Sequence, residues 1–221
     1  MDAREYMAQK LKNKDLISAL YKVDRRDFLP DKLKDYAYKL EFVDSPLKVT
    51  DSGITTTALS LGLTMLDLLE LKRGDKVLEI GTGTGYYTAL IAEIVGDSNV
   101  VSIEIDDEIF EFAKNRLLNR YKNMKLIKGD GSIGYKPEQP YDKAIAWAAF
   151  PTIPCMVYDQ LKEGGILVVP IEDHRGKQGL YKIVKTSQGA SITRLFEVIF
   201  MRARGLCGFL DQDSRPQSFI L

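Results

Sequence analysis

Val77-Leu78-Glu79-Ile80-Gly81-Thr82-Gly83-Thr84-Gly85-Tyr86-Tyr87 decides how the rest of the chain is read. Val77, Leu78 and Ile80 form a short apolar run, the pattern of a strand buried on both faces. Three alternate glycines follow, and without Cβ atoms the backbone can turn sharply and approach a bound molecule closely. Residues 87–95 then carry apolar side chains at helical spacing, with Gly96 as a C-terminal stop. Strand, glycine turn and helix together frame a ligand site. A dinucleotide fingerprint would need its third glycine at position 86, but Tyr86 stands there and that glycine comes one residue early, at Gly85.

Around this stretch the αβ alternation is regular. Further strands are expected at 99–104, 124–128, 141–147 and 166–171, with helices at 107–119 and 157–161. Gly164-Gly165 reads as the stop of the short helix. Runs at 180–185 and 192–201, joined by a loop containing Gly189, read as an edge hairpin. The expected fold is therefore α/β and doubly wound, a mostly parallel seven-stranded sheet with a C-terminal antiparallel hairpin. Residues 1–50 read as a helical N-terminal extension with one or two amphipathic helices, and Pro30 ends any helix at or before Leu29. Residues 51–201 form the main domain and 202–221 a tail, in which Leu206, Phe209, Phe219, Ile220 and Leu221 could cover the sheet or join subunits.

Composition narrows the class. At 221 residues and 45% hydrophobic content the chain is long enough to bury a real core. Its 31 basic and 31 acidic residues cancel, which gives no electrostatic reason to expect nucleic acid as a partner. Cys155 and Cys207 lack metal-ligand spacing, so no metal site is expected. Without a signal peptide or a long apolar span, the expected location is cytoplasmic with no membrane contact. His174 is the only histidine and lies between Asp173 and Arg175, in a loop expected to be solvated. With no second histidine and no Ser/His/Asp set, hydrolase chemistry is disfavoured.

In an open α/β sheet, ligands bind beyond the carboxyl ends of the strands. Glu104, closing the second strand, can accept hydrogen bonds from ribose hydroxyls. Asp130 in Gly129-Asp130-Gly131 could accept one from an adenine amino group, or simply form an Asp-Gly turn. Tyr86 could cover the ligand and Ile105 lie against its adenine, although both residue types also occur in ordinary packing. The polar loop Asp51-Ser52-Gly53-Ile54-Thr55-Thr56-Thr57 precedes an apolar helix at 58–71; its threonines read as a helix cap or as a surface facing the ligand.

Glu79 two positions before Gly81, with glycines at 83 and 85, resembles motif I of class I methyltransferases, which bind S-adenosylmethionine. That ligand has no pyrophosphate; its methionyl ammonium and carboxylate suit a carboxylate and exposed backbone N–H groups. More of the chain is similar to protein-L-isoaspartate O-methyltransferases. The matching pieces include Arg26-Asp27-Phe28-Leu29-Pro30, Asp44-Ser45-Pro46-Leu47, the motif itself, Gly129-Asp130-Gly131, Ala148-Ala149 with Ile153-Pro154, and Gln160 to Gly165. The resemblance implies S-adenosylmethionine bound by Glu79, Gly81, Thr82, Gly83, Gly85, Tyr86, Glu104, Ile105, Asp130 and Gly131. It implies isoaspartyl-containing proteins and peptides as substrates, against Ile54, Thr55, Ala148 and Ala149. Thr57 falls where the family carries a reaction-centre serine, without the family's flanking glutamine and proline. Trp147 stands where the family has threonine. Two alternatives share the cofactor residues: another class I methyltransferase acting on RNA or a small molecule, or a non-catalytic S-adenosylmethionine-binding protein.

Overall fold

The structure is a computed structural model and describes residues 1–51 and 53–209. The chain opens with two short helices, α1 (Ala3–Ala8) and α2 (Lys14–Lys22), each started by a side-chain cap from Asp2 or Asn13. A short turn at Arg25–Phe28 ends at Leu29, immediately before Pro30. Strands β1 (Leu47–Lys48) and β2 (Thr55–Thr56) form a small antiparallel pair, and helix α3 (Leu59–Leu68) follows. The threonines do not cap α3. Its cap position is Ala58, with no side-chain hydrogen bond, and two of the threonines pair as β2 instead.

The main sheet then builds in sequence. Strand β3 (Val77–Ile80) leads through the glycine turn into α4 (Tyr86–Val95), and β4 (Val100–Glu104) into α5 (Asp107–Leu117). After β5 (Lys125–Lys128) come β6 (Tyr141–Ala146), α6 (Cys155–Asp159), β7 (Leu161–Glu172), β8 (Gln178–Thr186) and β9 (Gly189–Val198). The seven strands lie in the order β5-β4-β3-β6-β7-β8-β9. The first five run parallel; β7–β8 and β8–β9 are antiparallel. Gly164-Gly165 do not stop a helix. They belong to the irregular start of β7, where the register against β6 shifts between Tyr141 and Lys143.

β3 and β4 are buried at every position, including Glu79, Ser102 and Glu104, whose polar groups are hydrogen-bonded within the protein. The first half-hundred residues share the core of the sheet: Leu16, Leu20, Val23 and Phe28 pack in one cluster with Leu63, Leu66 and most of α4. The direction of winding reverses between β3 and β6, because the chain runs outward through β4 and β5 before returning to the other side of β3. A crevice opens at the carboxyl ends of the strands at such a switch point. The glycine turn, Glu104 and Trp147 all lie there.

Candidate active site

The cleft floor starts with the glycine turn. Gly81, Gly83 and Gly85 have φ values of 86°, 56° and 89°, a region that L side chains resist. They serve different ends. A Cβ on Gly85 would lie 3.0 Å from Leu117 of α5, so that glycine allows close helix packing. Gly83 faces open space, and its N–H donates to Glu104 Oε2 at 2.9 Å. Glu104 Oε1 accepts from the N–H groups of Ile105 (2.9 Å) and Asp106 (3.0 Å). Burial raises the Glu104 pKa and these backbone bonds oppose the rise. Gly81, Thr82, Gly83, Glu104, Ile105 and Gly131 all line the cleft, as do Thr84, Asp106, Ile109 and Ser132.

Glu79 lies below this floor. It is fully buried and does not line the cleft, and its carboxylate is occupied by protein donors. Oε2 accepts from the hydroxyls of Thr88 and Ser102, both at 2.6 Å, and Oε1 from the Trp147 indole N–H at 2.8 Å. Ser102 Oγ lies 2.6 Å from Thr82 Oγ1, so the acid reaches the cleft only through hydroxyls and an indole. The expectation of direct contact between Glu79 and a ligand ammonium is corrected accordingly. Burial pushes its pKa up to about 7, against the three hydrogen bonds that lower it.

The tandem tyrosines exchange roles. Tyr86 is buried against Phe28 and its ring is absent from the cleft; Tyr87 lines it. Successive helical residues point about 100° apart, so only one of the pair can face the ligand, and the packing of α4 decides which. Tyr87 Oη donates to the carbonyls of Thr57 (3.1 Å) and Ala58 (2.9 Å), holding the threonine loop over the cleft. Arg25, itself buried, reaches the same Thr57 carbonyl at 3.3 Å and the Ala37 carbonyl at 3.1 Å. Ile54, Thr55, Thr56 and Thr57 line the cleft on this side.

A second cavity of about 670 Å3 opens beyond the loop, a volume suited to a peptide side chain and its neighbours. It runs between Asp44, Pro46 and Ser60 on one side and Lys177, Glu197 and Phe200 on the other. Thr55, Thr57, Trp147 and Met201 border both cavities.

The segment after β9 forms a strap over the far end of the cleft, contributing Met201, Arg202, Ala203 and Arg204 to its lining. Arg202 pairs with buried Glu172 at 2.6 Å, and Arg204 with Asp106 at 3.3 Å. This strap explains two further corrections. Asp130 does not line the cleft: its oxygens accept from the N–H groups of Ser132 and Leu206, both at 2.8 Å, so it anchors the strap. Ala149 is fully buried and bonds through its backbone to Met201 and Ala203, whereas Ala148 lines the cleft. His174 is exposed in the β7–β8 loop, as expected. Sequence reasoning missed Arg25, Tyr87, Ser132 and the strap. A signal existed only for Tyr87, in the doubled tyrosine.

A sequence model of the protein-L-isoaspartate(D-aspartate) O-methyltransferase family matches residues 4–206. The chain belongs to this family. A protein-L-isoaspartate O-methyltransferase of Ignicoccus hospitalis is 44% identical over 193 residues, covering 86% of this chain and 89% of that protein. One from Methanopyrus kandleri is 37% identical over 219 residues, covering 94% and 90%. A solved protein-L-isoaspartate O-methyltransferase superposes with a TM-score of 0.79 at 29% identity, over 93% of this chain and 67% of that one. A Plasmodium falciparum structure in complex with S-adenosyl-L-homocysteine shares the fold, with a TM-score of 0.74 at 21% identity over 92% and 99%. The family inferred from the motifs is the family these comparisons return, and its cofactor is S-adenosylmethionine.

Proposed function

We propose that this chain methylates the α-carboxylate of L-isoaspartyl residues, holding S-adenosylmethionine in the cleft and the damaged peptide in the adjoining cavity. Family membership makes it an S-adenosylmethionine-dependent methyltransferase that acts on isoaspartyl proteins and peptides. The observation that carries the arrangement is that Thr55, Thr57, Trp147 and Met201 border both cavities, so two reactants can meet there.

The donor set suits the cofactor. A carboxylate fixed by three backbone N–H groups at the end of β4 can receive a ribose, with Ile105 and Ile109 supplying an apolar flank. Gly81, Thr82, Gly83 and Gly131 are the remaining cofactor contacts in this reading, with Ile54, Thr55 and Ala148 on the substrate. Bound there, S-adenosylmethionine supplies a sulfonium methyl for in-line attack by an ionised carboxylate. Such a nucleophile needs no general base, so the work of the protein is orientation and exclusion of water. Thr57 borders both cavities, and its backbone carbonyl is held by Tyr87 and Arg25.

The test uses labelled S-adenosylmethionine with paired peptides containing L-isoaspartate or L-aspartate. Base-labile label on the isoaspartyl peptide alone is expected; no transfer to either peptide would refute the reading and favour a non-catalytic binding protein. Residues 1–50 serve in this reading as an extension to a catalytic domain at 51–201. Self-association through the tail after 201 rests, among the described residues, on Leu206, which is 79% exposed, while Phe219, Ile220 and Leu221 lie outside the described residues; a monomeric mass in light scattering would remove it. A cytoplasmic site of action fits the finding that no described helix is long and apolar enough to cross a membrane.

A further inference from the structure

Trp147 is the only tryptophan in the chain, and it stands where the strands end. Its backbone N–H donates to the Ile80 carbonyl at 2.9 Å, so the sheet fixes where the side chain begins. The indole stacks on Tyr87 with ring centroids 4.7 Å apart and planes at 25°. Its N–H donates to Glu79, whose other oxygen holds Ser102 and, through it, Thr82 of the cleft floor. Tyr87 in turn donates to the carbonyl of Thr57. One side chain is thus joined to both the floor under the cofactor cleft and the loop over it, and it borders both cavities.

We propose that Trp147 is a positioning residue for methyl transfer, the partition against which the cofactor's methyl and the substrate's carboxylate are aligned. The proposal rests on the reading given under Proposed function. In the step itself a carboxylate oxygen bonds to the methyl carbon while the carbon–sulfur bond breaks and its electron pair stays on sulfur; no proton moves. An anion and a sulfonium become a neutral ester and a neutral thioether. Because charge is lost along this path, an apolar wall that keeps water away favours the transition state over the separated ions. An indole face also attracts a cation. The tie to Glu79 holds the ring at one angle. Phenylalanine in its place would keep an aromatic wall but lose that tie.

The experiment compares the wild type with Trp147→Phe and Trp147→Ala. It measures kcat and KM on the isoaspartyl peptide, S-adenosylhomocysteine affinity by calorimetry, and thermal stability. Trp147→Phe is expected to lower kcat about tenfold, a loss of alignment, while cofactor-product affinity stays nearly unchanged and the melting temperature falls by only a few degrees from the lost Glu79 hydrogen bond. Trp147→Ala should lower kcat further. In the wild type the single indole should change its emission when S-adenosylhomocysteine binds and again when peptide is added. Unchanged kcat in Trp147→Phe, or a fall matched by equal losses of affinity and stability, overturns the proposal, as does an indole blind to both ligands. A wild type inert on the isoaspartyl peptide removes the functional reading and this proposal together; an active wild type with an unaffected Trp147→Phe removes the proposal alone.

Discussion

Glu79 is a fully buried carboxylate whose hydrogen bonds come from two hydroxyls and an indole rather than from a cation. Three hydrogen bonds soften the cost of burial but do not cancel it, so its pKa rises to about 7 from an ordinary 4.5. The folded state therefore binds this proton more tightly than the unfolded chain does. Its stabilising contribution is complete below pH 4.5 and is lost as pH rises through about 7, a change of about 3 kcal/mol. Glu104 shifts in the same direction, so the isolating measurement is a difference between wild type and Glu79→Gln. Urea unfolding at pH 5 and pH 8 should show the wild type losing stability relative to the variant. Parallel pH profiles would mean that Glu79 stays ionised throughout. At Thr57 the expectation concerns rate: Thr57→Ala should lower kcat about tenfold or more, with S-adenosylhomocysteine affinity kept. Equal losses in both would make Thr57 a cofactor or structural residue.

Elements reach the site through close packing, and α3 packs closely against α4. A Cβ on Gly62 would fall inside the Tyr87 ring, the ring that holds the threonine loop and stacks on Trp147. Gly62→Ala gains about 1 kcal/mol of helix propensity but must displace a buried aromatic, which costs about 1–3 kcal/mol. Overpacking should win. We expect a melting temperature several degrees lower, measured by circular dichroism, together with reduced methyl transfer because Tyr87 shifts. A more stable variant would show that the helices can separate without disturbing the loop. At this scale β3, β4, α4 and α5 were readable, since a buried strand or an amphipathic helix declares itself within its own residues. The β1–β2 pair was not: Leu47 pairs with Thr56 across a turn, and neither strand is long enough to show a period.

Across the whole molecule, one core cluster joins α1 and α2 to the helices and strands of the main sheet. Deleting the first 22 residues would strip Leu16, Ala19 and Leu20 from that cluster. The intact chain should therefore unfold in a single calorimetric transition, because neither part keeps its apolar surface covered alone. Two separable transitions, the first belonging to the N-terminal segment, would contradict a shared core. The strap works at the same scale. Arg202 ties it to Glu172 on β7, and Asp130 and Ser132 receive its N–H groups from the β5 side.

By itself the sequence determined the parallel sheet and the family, and it pointed to the crevice at the strand ends. Each is written locally: apolar runs define strands, alternate glycines define the turn, and Glu104 and Gly131 sit at strand ends that any such sheet gathers at one edge. Only the tertiary structure decided which neighbouring side chain faces the cleft. Glu79 lies under the floor because a strand alternates its faces, and its face is closed by Thr88, Ser102 and Trp147. Tyr87 replaces Tyr86 because α4 is rotated by its packing on α3 and the N-terminal segment. Asp130 turns away because a strap from some 75 residues later supplies the N–H group that it accepts. Local pattern records what a residue can do; the direction in which it points is set by contacts distant in sequence.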